Sequence, residues 1–191
     1  MSVLRLGVDI DGTIVDTHRI AVELFNKKLD KNVRAEEVVE FYLDQAYEMT
    51  PSEGKVMWRQ LEGQIYEQGK PFPDAAEVLN QLQEKGHQIY YVTARPSLPE
   101  VKKVTKWWLQ HYHFPYHDHR LIMDARNKSK VATKLQLDLC FEDAPDHLER
   151  YDRDGIPAVI IDATYNRDLP YQMDRIRNWN QVPSIINKMM G

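Results

Sequence analysis

Cysteine is almost missing from this sequence: among 191 residues there is one, Cys140. An internal disulfide is excluded, and with it the small stapled scaffolds of oxidising compartments, so a reducing, cytoplasmic setting is expected. Long hydrophobic runs are missing too. The apolar stretches last a handful of residues, against the roughly 20 that a bilayer crossing takes. The first ten residues hold one Arg and an apolar run broken by Asp9, which is too short for a secretion signal. Only 8 Gly and 10 Pro are present, which removes collagen-like and low-complexity classes. Nor is there an excess of positive charge: 25 Lys and Arg against 29 Asp and Glu leave −4. A nucleic-acid polymer or an anionic membrane is therefore not an expected partner. What remains, 42% hydrophobic and 28% charged, is a globular composition, long enough for one catalytic-sized domain plus one insertion.

Five short apolar runs stand out: Val3–Ile10, Gln88–Val92, Arg120–Met123, Leu137–Phe141 and Ala158–Ile161. Helical spacing lies between them, as in Val78, Leu79 and Leu82 after an Asp74…Glu77 capping pattern and before a C-capping Gly86. Val101, Val104 and Trp108 give another helix, and Val131 and Leu135 a third. Strands that read apolar on both faces and alternate with helices predict an α/β fold, a parallel sheet with helices on both faces. The stretch 17–70 breaks the alternation with three successive helical patterns. They are Ile20, Leu24, Phe25 and Leu29; Val38, Val39, Tyr42, Leu43 and Ala46; and Met57, Leu61 and Ile65 behind Pro51. This predicts an inserted helical domain, 17–70, over a core made of 1–16 and 71–191, placed to cover the sheet edge where open α/β sheets bind ligands. Near the C-terminus, Ile176–Trp179 reads as a short edge strand before a helix ending near Met190.

The strongest local signal is Asp9-Ile10-Asp11-Gly12-Thr13 at the end of the first run. Residues two apart in an extended chain share a face, so Asp9 and Asp11 can enter one pocket. Two carboxylates that close repel unless a cation holds them, and a hard ion such as Mg²⁺ suits oxygen ligands. An apolar run followed by Asp-Gly and another apolar pair is also a β-hairpin signal, and that reading stays open. Thr93 follows a strand and precedes Ala94 and Arg95, where its hydroxyl and the next N–H groups can bind phosphate oxygens. Lys128 precedes a helix and could neutralise phosphate and carboxylates, with Lys130 as its rival. Glu142-Asp143 forms a second acidic pair after an apolar run, or else caps the helix that Pro145 begins.

These four segments resemble the haloacid dehalogenase (HAD) superfamily of aspartate-nucleophile phosphatases: Asp9–Thr13 is similar to its first motif, Val92-Thr93 to the second, the Lys128 region to the third and Phe141-Glu142-Asp143 to the fourth. Within it, Tyr91–Pro96, Trp107-Trp108-Leu109 and Phe141–Pro145 look like the 5′(3′)-deoxyribonucleotidase-related group. The resemblance implies a Rossmann-like core with a cap inserted after the first strand and a small hairpin flap after Gly12. It implies Asp9 as nucleophile through an aspartyl-phosphate, Asp11 as general acid and base, and Thr93 and Lys128 on the transferring phosphoryl group. Mg²⁺ would be held by Asp9, the Asp11 backbone carbonyl and Asp143, with Glu142 as a direct or indirect helper. Gly12, Thr13, Ala94, Arg95 and Lys130 complete the expected substrate-binding set. A small phosphorylated molecule, a nucleotide first and a sugar phosphate second, is the expected partner. A homodimer stays open, as does a binding role on an idle scaffold.

Two other features compete for attention. His111, His113, His117 and His119 crowd one segment and could bind zinc or copper, although Pro115 favours an exposed loop. Phe25, Tyr42, Tyr47, Trp58 and Tyr66 could stack on a nucleobase or form the insert's own core.

Overall fold

The structure, a computed structural model, describes residues 3–191; the first two residues of the expected 1–16 segment lie outside it. Among the described residues six parallel strands form one sheet: β1 (Arg5–Val8), β2 (Gln88–Val92), β3 (Leu121–Ile122), β4 (Leu139–Glu142), β5 (Ala158–Ile161) and β6 (Asp174–Ile176). They lie in the order β3-β2-β1-β4-β5-β6, so the chain reverses direction of growth at β1, beside which β2 and β4 both pair. Val8 stands level with Tyr91 on one side and Phe141 on the other, which brings the three following residues to one edge.

Among the described residues seven α-helices accompany the strands: α1 (Thr17–Leu29), α2 (Pro51–Gln68), α3 (Ala75–Glu84), α4 (Pro99–His111), α5 (Lys128–Leu135), α6 (Pro145–Arg153) and α7 (Val182–Met190). Period-two alternation splits the strands between two cores. Ile89, Tyr91, Leu139 and Phe141 pack with α3, α4 and α7, whereas Tyr90, Val92 and Cys140 pack with Ala132 of α5 and Tyr151 of α6. Helices therefore cover both faces. A further cluster joins α1, α2 and the segment between them to Val101 of α4.

Local chemistry explains the helix ends. Thr50 and Glu53 form a reciprocal capping box in front of Pro51. Asp74 does stand at the start of α3, but its side chain does not cap: it accepts from Asn180 instead. Gly86, at φ +94°, takes the left-handed position just beyond the end of that helix.

Three expectations need correction. The middle pattern of the insert, Val38–Ala46, is not a helix; after a single 3-10 turn at Ala35–Glu37 it runs as irregular turns. Its apolar residues do not share a face, because Val38 and Leu43 are buried while Val39 and Tyr42 point outward. The hairpin expected after Gly12 takes another form: the N–H groups of Thr13, Ile14 and Val15 converge on the Ile10 carbonyl in a tight loop, and Val15 then pairs antiparallel with Pro71 at the far end of the insert. The last strand is earlier than expected, with Ile176 as its final residue.

Candidate active site

Every acidic residue of the first and fourth motifs sits at the carboxyl end of a strand. Asp9 follows β1, its N–H donating to the Phe141 carbonyl at 3.1 Å. Glu142 ends β4 and Asp143 follows it. One carboxylate oxygen from each of Asp9, Glu142 and Asp143 lies within 4.8 Å of the others, and all three residues are buried. Among the described residues no other group of His, Cys, Asp and Glu gathers so closely. His111, His113, His117 and His119 are exposed and do not join one.

Lys128 opens α5 and drives its ammonium into this cluster, donating to Asp9 Oδ1 at 2.5 Å and Glu142 Oε2 at 2.7 Å. Burial would strip its charge, but the two carboxylates outweigh burial and raise its pKa, so it stays a cation. Lys130 faces the other way: it is exposed, and its charge acts on Asp154 at the far side of α5. Lys130 therefore does not join the cluster, because two residues along a helix point to different faces.

Glu142 is held from both sides, since its Oε1 accepts the N–H groups of Asp143 and Ala144 at 3.2 and 3.1 Å. It fixes the turn that leads into α6 and anchors Lys128 at once, without capping the helix itself. Asp143 Oδ1 accepts from Thr13 Oγ at 2.8 Å and Oδ2 from Tyr165 Oη at 2.6 Å. Gly12 makes this possible: at φ +81°, a Cβ there would lie 2.1 Å from Asp143 Oδ2. The loop is tied down from behind by Trp179, whose indole N–H donates to the Thr13 carbonyl at 3.1 Å.

Asp11 faces a different partner. Arg95 grips it with two bonds, Nε to Oδ2 at 2.8 Å and Nη2 to Oδ1 at 2.7 Å, and Thr17 Oγ adds a third at 2.9 Å. The guanidinium also reaches Thr105 of α4 and lies 4.0 Å from the ring centre of Tyr66 on α2. Arg95, expected on substrate, thus lies on Asp11 in this structure. Thr93 is buried, and its hydroxyl oxygen accepts the Arg95 N–H at 3.1 Å, leaving its own proton free to donate. Ala94 is exposed at the rim.

The electrostatics follow from this crowding. Burial, then Glu142, pushes Asp143 up to about 7. Burial and the neighbouring carboxylates raise Asp9 even against Lys128. Burial would also raise Asp11, but the charge and hydrogen bonds of Arg95 prevail and hold it below the usual range. Fully ionised, the four carboxylates would outnumber the two buried cations by two, and the raised Asp9 and Asp143 record that repulsion among hard oxygen donors. That donor set fits a divalent ion such as Mg²⁺.

Comparison with known proteins adds a family. The model of the family described as 5′ nucleotidase, deoxy (Pyrimidine), cytosolic type C (NT5C) matches residues 2–190. The chain belongs to this family. A Bacillus cereus protein named "Putative nucleotidase" is 35% identical, covering 98% of this chain and 100% of its own. A Staphylococcus epidermidis protein named "Putative 5′(3′)-deoxyribonucleotidase" is 26% identical and covers 97% of each. In fold, this NT5C member resembles a haloacid dehalogenase-like protein of unknown function from Agrobacterium tumefaciens (TM-score 0.70, 13% identity, all of both chains). It also resembles a haloacid dehalogenase-like hydrolase from Streptococcus pneumoniae (TM-score 0.68, 16% identity, 96% of this chain and 98% of that one). The NT5C chain is accordingly a phosphomonoester hydrolase of nucleotidase type, with the Rossmann-like fold of haloacid dehalogenase-like proteins.

Sequence reasoning missed several residues here. Thr17 and Thr105 look like ordinary helix residues, and Tyr165 and Asn166 lie in a loop without a motif. A hydroxyl two turns into α4 carries no signal until Arg95 is seen to reach it. Of the insert's aromatics, Phe25 and Tyr47 are core, Tyr42 is exposed and Tyr66 covers Arg95.

Proposed function

We propose that the chain hydrolyses (deoxy)nucleoside monophosphates in a Mg²⁺-dependent reaction, with Asp9 as nucleophile and 17–70 as a cap over the site. The excess of carboxylates, Asp9, Asp11, Glu142 and Asp143 against the cations Lys128 and Arg95, carries this reading. Asp9, Asp143 and the Asp11 backbone carbonyl would hold the ion, with Glu142 behind them on Lys128. When bound, Mg²⁺ offsets the charge of carboxylates and phosphate and orients the phosphoryl oxygens.

An Asp9 oxygen bonds to phosphorus as the bond to the nucleoside oxygen breaks, giving an aspartyl-phosphate. Asp11 gives the departing oxygen its proton, then takes one from the water that attacks phosphorus, releasing phosphate and restoring Asp9. Arg95 keeps Asp11 ionised, the form that accepts a proton in the second half. The first half requires the carboxyl to turn from Arg95 as substrate arrives. Thr93 donates its free hydroxyl proton, and Lys128 its charge, to the transferring group, where positioning and electrostatics supply most of the rate. Phe41, edge-on to Tyr165 beside Asp143, offers an aromatic face to a base, and the names of the relatives support nucleotides. A cytoplasmic location agrees with the single, buried Cys140.

A screen of nucleoside monophosphates and sugar phosphates, with and without Mg²⁺, tests this. Phosphate release is expected from nucleotides only with Mg²⁺, and Asp9→Asn is expected to lower it by about 10³-fold or more with the native circular dichroism kept. Near-native turnover by that variant would overturn the mechanism. Release from sugar phosphates alone would move the substrate class.

A further inference from the structure

The loop after β5 carries no recognisable motif, yet three successive residues in it tie the acidic site to the insert. Thr164 Oγ donates to the Val38 carbonyl at 2.5 Å. Tyr165 Oη donates to Asp143 Oδ2 at 2.6 Å, while its ring meets Phe41 edge-on at 5.3 Å between centres and leans on His18 at 5.2 Å. Asn166 Nδ2 donates to the carbonyls of Asp143 and Ile161, both at 2.9 Å. The Asn166 carbonyl oxygen of the side chain accepts from Ala163 N–H and from Arg175 at 2.7 Å. Asn166 is therefore fixed to the sheet, and Tyr165 stands on that fixed base with its hydroxyl on the acidic site and its ring on the insert.

We propose that Tyr165 is a positioning residue that couples the Asp143 carboxylate to the insert segment 38–42. This inference rests on the reading of Asp143 as a ligand to a divalent ion. Both oxygens of Asp143 are oriented by hydroxyls, and the space for Tyr165 exists because residue 12 is glycine: a Cβ there would lie 2.8 Å from Tyr165 Oη. Repulsion from Asp9 and Glu142 favours turning the Asp143 carboxylate away, whereas an ion shared with Asp9 holds it in one rotamer. In that rotamer the Tyr165 bond is kept and the ring is held against Phe41, so a filled site steadies the insert. Coupling of this kind is reciprocal: whatever orders the insert over the site also favours the ion.

Backbone hydrogen exchange of residues 38–46, measured on the intact protein with and without Mg²⁺, tests this beside a calorimetric titration with Mg²⁺ alone. In the wild type, Mg²⁺ is expected to slow exchange in 38–46 by about fivefold or more, the lower range of coupling between sites, and to leave 182–190 unchanged. Tyr165→Phe is expected to lose that response and to bind Mg²⁺ more weakly by a similar factor. Phe41→Leu, remote from Asp143, is expected to lose the response as well, and it decides the matter should Tyr165→Phe fold poorly. An equal response in both variants would overturn the coupling. Mg²⁺ binding with an unresponsive wild-type insert would overturn the coupling and leave the phosphatase reading standing, and failure of the wild type to bind Mg²⁺ would overturn both.

Discussion

Crowded carboxylates make single residues answer to pH. Asp143 is pushed up to about 7 by burial and by Glu142, whereas the unfolded chain releases that proton near 4. Between those values the folded state binds more protons than the unfolded one, so stability without metal is expected to fall as pH rises from about 4 to about 7. Saturating Mg²⁺, which prefers the ionised carboxylate, is expected to flatten that fall; urea midpoints across pH with and without Mg²⁺ measure both. Asp11 is tuned the opposite way by Arg95. Asp11→Asn is expected to slow release from alkyl phosphates by about 10²-fold or more and from activated aryl phosphates far less. Equal losses would remove its acid role. The acidic positions were legible because alternation along a strand puts Asp9 and Asp11 two apart, and because apolar runs end just before them. The grip of Arg95 on Asp11 was not, since it joins residues 84 positions apart.

At the scale of elements, Arg95 is a junction. It binds the loop after β1 through Asp11, α4 through Thr105 and α2 through the Tyr66 ring. Arg95→Met would leave Asp11 without its charge partner and α2 without a cation beneath its tyrosine. A loss of roughly 3 kcal/mol in urea unfolding is expected, the scale for removing one member of a buried pair. Strands were easy to read because a sheet covered on both faces needs continuous apolar runs, as in Ile89–Val92. The segment Val38–Ala46 misled because its apolar residues are divided between the core and the surface, and periodicity alone cannot tell which ones are buried.

Across the whole molecule, α4 belongs to two cores. Val101 packs in the cluster of the insert, while Trp108 and Leu109 pack in the cluster of the sheet. Trp108 also donates to the Gly69 carbonyl at the end of α2, at 2.7 Å. Sequence showed an interruption between 17 and 70 but could not show that its core is shared. Insert and sheet are expected to unfold together, giving coincident urea transitions by tryptophan fluorescence and far-UV circular dichroism; two separated transitions would contradict that. The bond from Trp179 to the Thr13 carbonyl spans 166 positions of the chain. During synthesis, the loop that bears Asp9 is made long before the residue that pins it. A nascent chain halted before Trp179 would already hold all four motifs without the brace that keeps them in place.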